Sequence, residues 1–177
     1  MRNIVFVVSL LFSSLCSAES LTGSDVEKWM ETFRDVQAWS RQQDGTKATF
    51  KQKQLDYSAI FSSAIEQSKS EKHYDSLAKV IKQHGFDPMQ WAQMGDRIMV
   101  AVAANQMSDF EVKELEEHVK HSEAMLNTSE MSAAQKAVLQ DMMQSTKDAL
   151  AAAAAAPEED KAAVKPYQDQ LTKLIDQ

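Results

Sequence analysis

The chain has few of the residues that make cross-links and tight turns. Its 177 residues include one cysteine, Cys16, so no disulfide can form within the chain. Four glycines and three prolines offer little material for the many turns of a β-sandwich or barrel. No segment alternates β-branched and polar residues with the period of a strand. These absences exclude a disulfide-stapled fold and argue against a sheet.

Positive charge and catalytic motifs are also scarce. Lys and Arg number 19 against 26 Asp and Glu, which gives a formal net charge of −7. Nucleic acids and anionic lipids bind clustered Lys and Arg, so we expect neither as the main ligand. The sequence has no glycine-rich phosphate loop and no nucleophile elbow. We therefore expect a protein without a cofactor and without a catalytic site.

The first residues form the pattern of a secretory leader. Arg2 precedes an apolar run over residues 4–12, which is shorter than the about 20 residues that a membrane anchor needs. The small residues Cys16 and Ala18 occupy the two positions that a signal peptidase inspects. This pattern predicts a signal peptide over residues 1–18, cleaved after Ala18. The predicted address is periplasmic or secreted, with no stable membrane anchor after cleavage.

The mature chain is then residues 19–177, long enough for one domain with one core. It contains no cysteine, and because Arg2 is the only charged residue in the leader, it keeps 18 basic and 26 acidic residues. The alternative is a lipoprotein anchored through Cys16. A lipidation signal has a small residue directly before the cysteine, whereas this chain has Leu15. The pattern favours cleavage after Ala18.

Composition and periodicity predict an all-α, single-domain bundle of about six to seven amphipathic helices. Ala, Gln, Glu, Lys, Met and Leu are abundant, and all favour helix. A central apolar helix is expected near residues 88–107, because the run 98–104 is apolar on every side. Asp87 suits its N-cap and Pro88 its first position. Gly85 suits the left-handed end of the preceding helix.

Several further signals predict helix boundaries. Phe86 and Trp91 have the spacing of a hydrophobic staple at the start of the central helix. A segment from about Thr46 to Ser70 has helical spacing in its second half, after a turn signal at Asp44-Gly45. Capping-box patterns occur at four places: Ser24–Glu27, Ser68–Glu71, Ser108–Glu111 and Ser132–Gln135.

Asp96 and Arg97 are the only charged residues of the predicted central helix. Because they are adjacent in sequence, they point to different sides and must find water or separate partners. This pair is a mild hint of a functional site. A capping or surface role is the interpretation that we favour.

One helical stripe resembles a set of metal ligands. Glu114, His118, His121 and Met125 are spaced four, three and four apart, so they share one face of a helix. Imidazole and thioether groups suit copper or nickel, and imidazole with carboxylate suits zinc. Solvated surface residues are the simpler interpretation, and we assign no metal site.

The leading functional hypothesis is a non-enzymatic module that binds another protein or a peptide, as an adaptor or chaperone does. It rests on the missing catalytic signatures and on the amphipathic helices. One alternative is a hydrolytic or metal-dependent enzyme whose site is assembled from separated carboxylates and histidines. A second alternative is a carrier that holds a small apolar ligand inside the bundle.

Overall fold

A computed structural model describes residues 20–42, 58–128 and 131–175, and within these ranges the chain is helical without any strand. The all-α prediction is confirmed. The predicted leader and the Asp44-Gly45 turn lie outside the described residues. The helices are α1 Gly23–Gln42, α2 Ile60–Ser68, α3 Tyr74–Gln83, α4 Pro88–Gln106, α5 Asp109–Thr128, α6 Ala133–Ala154, α7 Glu158–Val164 and α8 Gln168–Ile175, with a 3-10 turn Lys165–Tyr167 joining the last two.

Helix α4 is the centre of the bundle, as its apolar sequence predicts. It packs against α1, α2, α3, α6 and α7. Ile98 is fully buried, and Ala101 and Val102 are nearly so. A helix with neighbours on several sides has no solvated side on which to place polar residues, which accounts for the apolar run.

Four aromatic rings from three helices pack together in the core. Trp29 stacks on Phe33 and on Trp91, with ring centroids 5.0 Å and 5.8 Å apart, and meets Phe61 edge-on at 5.3 Å. The indole N–H of Trp29 donates to the carbonyl oxygen of Trp91 at 3.1 Å. Gly95 of α4 lies against this cluster, and a methyl group at that position would come within 2.8 Å of the Trp29 ring.

The start of α4 confirms the local signals of the sequence. The Asp87 carboxylate accepts a hydrogen bond from the backbone N–H of Met89 at 2.9 Å, and Pro88 occupies the first turn. Phe86 and Trp91 are both buried in the core. Gly85 has φ +76°, the left-handed conformation that ends α3. Together these residues set the angle at which α4 enters the core.

The capping boxes at Ser108–Glu111 and Ser132–Gln135 are confirmed at the starts of α5 and α6. The box predicted at Ser24 is wrong: α1 begins two residues earlier, where Thr22 and Asp25 exchange hydrogen bonds. Thr22 and Asp25 have the same motif spacing as Ser24 and Glu27, so the local pattern alone does not choose between them.

The box predicted at Ser68–Glu71 is also wrong. Ser68 is the last residue of α2, and its hydroxyl donates to the carbonyl oxygen of Ile65. Helix α3 begins at Tyr74 without a side-chain cap. A serine that bonds back to the preceding turn satisfies a carbonyl group at a helix end, so here it marks an end and not a start.

Helices α5 and α6 form an antiparallel hairpin, because a short connection joins them and they pack against each other. Val119 of α5 and Met143 of α6 are each 9% exposed. The ammonium group of Lys147 and the carboxylate of Glu123 form an ion pair across one edge of the hairpin. Helix α6 also packs against α4, which joins the hairpin to the bundle. Among the described helices, none is both long enough and apolar enough to cross a membrane.

Candidate protein-binding surface

The outer face of α6 presents apolar side chains to solvent. Val138 is 60% exposed and Met142 is 63% exposed. Together with Met131, Ala134 and Leu139 they line an open, almost wholly apolar cleft of about 410 Å³. Surface apolar residues are ordinary when single, but a contiguous patch along three turns of one helix is typical of an interaction surface.

Helical geometry places one residue of α5 beside this cleft. Successive residues turn by about 100°, so Met125 points about 160° away from Glu123. By the same rule Val138 and Met142 point away from Lys147. Because the Glu123–Lys147 pair marks one edge of the hairpin, these three apolar residues lie along the opposite edge. We call this surface the methionine edge and define it as Met125, Met131, Val138, Leu139 and Met142.

The local sequence explains why Val138 and Met142 of the methionine edge stay exposed. The capping box of Ser132 and Gln135 fixes the start of α6 directly after Met131. The apolar residues that follow on α6 occupy more of the circumference of the helix than one neighbouring helix can cover. Leu139 is half-buried and Met143 is buried, whereas Val138 and Met142 remain outside.

Charge is distributed unevenly around the hairpin. Between residues 109 and 154 the chain has nine acidic and four basic side chains. At 100° per residue, Glu111 and Glu114 project toward the methionine edge, and the four lysines project elsewhere. Hydrogen bonds from the backbone N–H of Ser108 and then from its hydroxyl lower the pKa of Glu111. The charged side chains near the methionine edge are therefore acidic.

The stripe considered as metal ligands lies on the same edge. Glu114, His118 and His121 are exposed on α5, and Met125 is 41% exposed. Across residues 20–42, 58–128 and 131–175, no three His, Cys, Asp or Glu side chains come together in a group that could hold a metal ion. The stripe therefore forms one side of the apolar surface on α6.

Asp96, the first of the two charged residues of α4, caps another helix. Its carboxylate is buried and accepts hydrogen bonds from the backbone N–H groups of Phe61 at 2.7 Å and Ser62 at 3.1 Å. These groups belong to the first turn of α2, where backbone donors have no partner within the helix. The capping role favoured from the sequence is the one that the structure shows.

Arg97 forms a partly buried ion pair with Asp160 of α7. Its guanidinium donates from Nε at 3.0 Å and from Nη2 at 2.8 Å to the two carboxylate oxygens. The Asp160 side chain is 1% exposed and also accepts from the backbone N–H of Leu21 at 3.0 Å. The local sequence did not identify Asp160 as a partner of Arg97, so this role was missed.

A wide cleft of about 910 Å³ lies over these residues. Its lining mixes apolar side chains such as Phe86 and Met94 with Asp96, Arg97 and Asp160. Both carboxylates already accept hydrogen bonds, and no histidine belongs to the lining formed by the described residues. The cleft does not assemble the carboxylate and histidine site that the enzyme alternative requires.

No protein-family model, no curated protein sequence and no solved structure matches the chain.

Proposed function

We propose that this protein is a non-enzymatic binding module that holds a segment of another polypeptide on the methionine edge. The observation that carries the proposal is the exposure of Val138 and Met142 on a helix whose other apolar side already packs against α5. The apolar surface of such a patch is removed from water only when another molecule covers it.

The residue types on the methionine edge suit polypeptide binding. Three of the five are methionines, whose unbranched and polarizable side chains adapt to differently shaped partners. The cleft is open and shallow, which fits a protein segment better than an enclosed small molecule. The hairpin is anchored to the bundle through α4, so the binding surface sits on rigid helices.

We also propose that the protein works outside the cytoplasm, in a periplasm or as a secreted protein, after cleavage behind Ala18. The support is the leader pattern of the sequence. The mass of the mature protein tests this. A chain beginning at Glu19 is expected, and an acylated Cys16 at the N-terminus would show a lipoprotein instead.

A photo-cross-linking experiment tests the binding surface. A benzoylphenylalanine is placed at Ala134 in the cleft lining and, as the control, at Gln140 on another side of α6. In the producing cells, the Ala134 position is expected to give a discrete adduct with one or a few proteins identified by mass spectrometry. The purified partner should then bind in solution and lose affinity with Val138→Gln.

The control variant for that measurement is Ala137→Gln, an exposed position away from the cleft. Equal adducts from the Ala134 and Gln140 positions, or none from either, would count against the methionine edge as a binding surface. Equal affinity of Val138→Gln and Ala137→Gln for the identified partner would count against it as well.

A further inference from the structure

We infer that the segment held on the methionine edge is an amphipathic helix with a cationic end. This inference rests on the proposed function and names the chemistry of the partner. Three observations carry it: the length of the apolar stripe, the lack of a strand edge, within the described residues, on which an extended chain could pair, and the acidic residues at one end of the stripe.

The apolar stripe has the length of about three helical turns. Met142 is nine residues from the start of α6, which corresponds to about 14 Å along the axis, and Met131 directly precedes the cap of α6. Counted from the connection between the helices, Met125 of α5 is within one turn of the level of Val138, so it lies beside the cleft that residues 131–142 line. An incoming helix with apolar residues at i, i+4, i+7 and i+11 matches this length.

An extended peptide is a poor fit to the methionine edge. Peptides that bind as strands pair their backbone with an exposed sheet edge. The described part of the chain contains no strand, and the lining of the cleft is almost wholly apolar. A strand laid there would find no backbone partners in the lining of the cleft, whereas a helix satisfies its backbone groups internally.

The acidic residues beside the methionine edge favour a basic partner. Glu114 is 14 residues from the end of α5 and Met142 is nine residues from the start of α6, so Glu114 lies about 8 Å further from the connection, with Glu111 about 5 Å beyond it. Both lie on the face of α5 that carries Met125; Glu114 is exposed, and the Glu111 carboxylate also accepts hydrogen bonds from the backbone N–H and the hydroxyl of Ser108. An incoming helix that covers the apolar stripe therefore meets negative charge in the two turns beyond one end. Lys or Arg at those positions is favoured, and Asp or Glu is repelled.

The experiment uses three labelled peptides of about 22 residues, enough to span the stripe and the acidic end. The first has the apolar pattern i, i+4, i+7, i+11 followed by lysines. The second replaces the lysines with glutamates, and the third scrambles the first so that charge is kept and the apolar stripe is lost. Binding to the mature protein is measured by fluorescence anisotropy. The patterned lysine peptide is expected to bind about tenfold more tightly than either other peptide, since two charge contacts of about 1 kcal/mol or less each are involved.

Matched variants locate the binding. Glu114→Lys is expected to weaken the patterned lysine peptide several-fold, whereas Glu116→Lys makes the same charge change on the opposite edge and should leave it unchanged. Val138→Gln should weaken both patterned peptides, and Ala137→Gln neither. The advantage of lysine over glutamate should shrink as salt rises from about 0.05 M to 0.5 M, because exposed charges are screened.

Each other outcome has a definite meaning. Equal binding of the lysine and glutamate peptides, both weakened by Val138→Gln, would overturn the cationic partner and leave the proposed function standing. Equal binding of the patterned and scrambled lysine peptides would show simple charge attraction and overturn the inference. A dimer in analytical ultracentrifugation that Val138→Gln dissociates would overturn it too, by showing that a second copy covers the edge. Failure of every peptide together with negative cross-linking would remove the proposed function itself.

Discussion

Replacing Gly95 with alanine tests whether packing or helix propensity decides the stability of α4. Gly95 lies within α4, where alanine is usually the better residue by about 1 kcal/mol. A Cβ at this position would lie 2.8 Å from Cζ2 and from Nε1 of Trp29, and 2.9 Å from Cδ2 of Phe61. Optimal separations between carbon atoms are about 3.5–4.0 Å, so the rings or the helix must move by more than half an ångström.

The rings have little room to move. Trp29 is fully buried, stacks on both Phe33 and Trp91, and donates its N–H to the Trp91 carbonyl oxygen. Overpacking a core of this kind costs about 1–3 kcal/mol, and a lost hydrogen bond adds about 1 kcal/mol. After the gain in helix propensity is subtracted, Gly95→Ala is expected to destabilise the protein by about 1–3 kcal/mol. This is a large part of the about 5–15 kcal/mol that stabilises a typical domain.

Urea unfolding followed by far-ultraviolet circular dichroism and by tryptophan fluorescence measures the free energy of unfolding. The control is Trp29→Phe, which removes both of the nearest ring atoms. In the Trp29→Phe background, Gly95→Ala should cost at least about 1 kcal/mol less than in the natural chain, a coupling typical of residues in contact. A stabilised Gly95→Ala protein, or an equal cost in both backgrounds, would refute the packing argument.

Three further predictions concern the ends and partners of helices. Asp160→Ala should lower the free energy of unfolding by about 3 kcal/mol, and by about 1 kcal/mol in an Arg97→Ala background, where only the hydrogen bond to Leu21 is left to lose. A double-mutant cycle by urea unfolding measures both losses, and additive losses would contradict the ion pair. Gly85→Ala should lower the free energy of unfolding by about 1–2 kcal/mol because φ is +76°, and Gly85→Asn should lower it clearly less. Equal thermal unfolding temperatures of the two variants would contradict this backbone strain. Because the Glu111 pKa is lowered in the folded protein, the stability from its cap is complete above the unfolded pKa near 4.5 and is lost as the pH falls through the folded pKa. An NMR titration should show the Glu111 pKa below its usual value, and a normal value would contradict the cap.

Helix α4 was predictable because every local signal agreed. Gly85 ends the helix before it, Asp87 and Pro88 begin it, and the apolar run explains its central place. The start of α1 was not predictable from the motif, because two capping patterns overlap within six residues. The choice is made by tertiary structure: Leu21 is buried, and its backbone N–H is held by Asp160. Contacts over such a separation leave no mark in local sequence.

The candidate surface was half visible in the sequence. The stripe containing Glu114 and His118 was recognised on one face of its helix, but its neighbour across the hairpin was not. Val138 and Met142 each precede another apolar residue, Leu139 and Met143, and apolar pairs four residues apart predict a buried helix face. Only the packing of α5 against one side of α6 shows which of these residues stay outside. The position of the neighbouring helix decides which half of a wide apolar face is buried, and the sequence of the face itself does not show that position.

The hydrogen bond between Leu21 and Asp160 has a consequence for the order of events during synthesis. The segment before α1 finds its carboxylate partner 139 residues later in the chain, and α1 also packs against α7 and α8. The emerging polypeptide cannot complete these contacts until α7 and α8 have left the ribosome, although the aromatic cluster of α1, α2 and α4 needs only residues up to Trp91. The segment before α1 therefore gains its last partner only when translation is almost complete. Contacts between distant parts of the sequence also slow folding, so the delay continues after release.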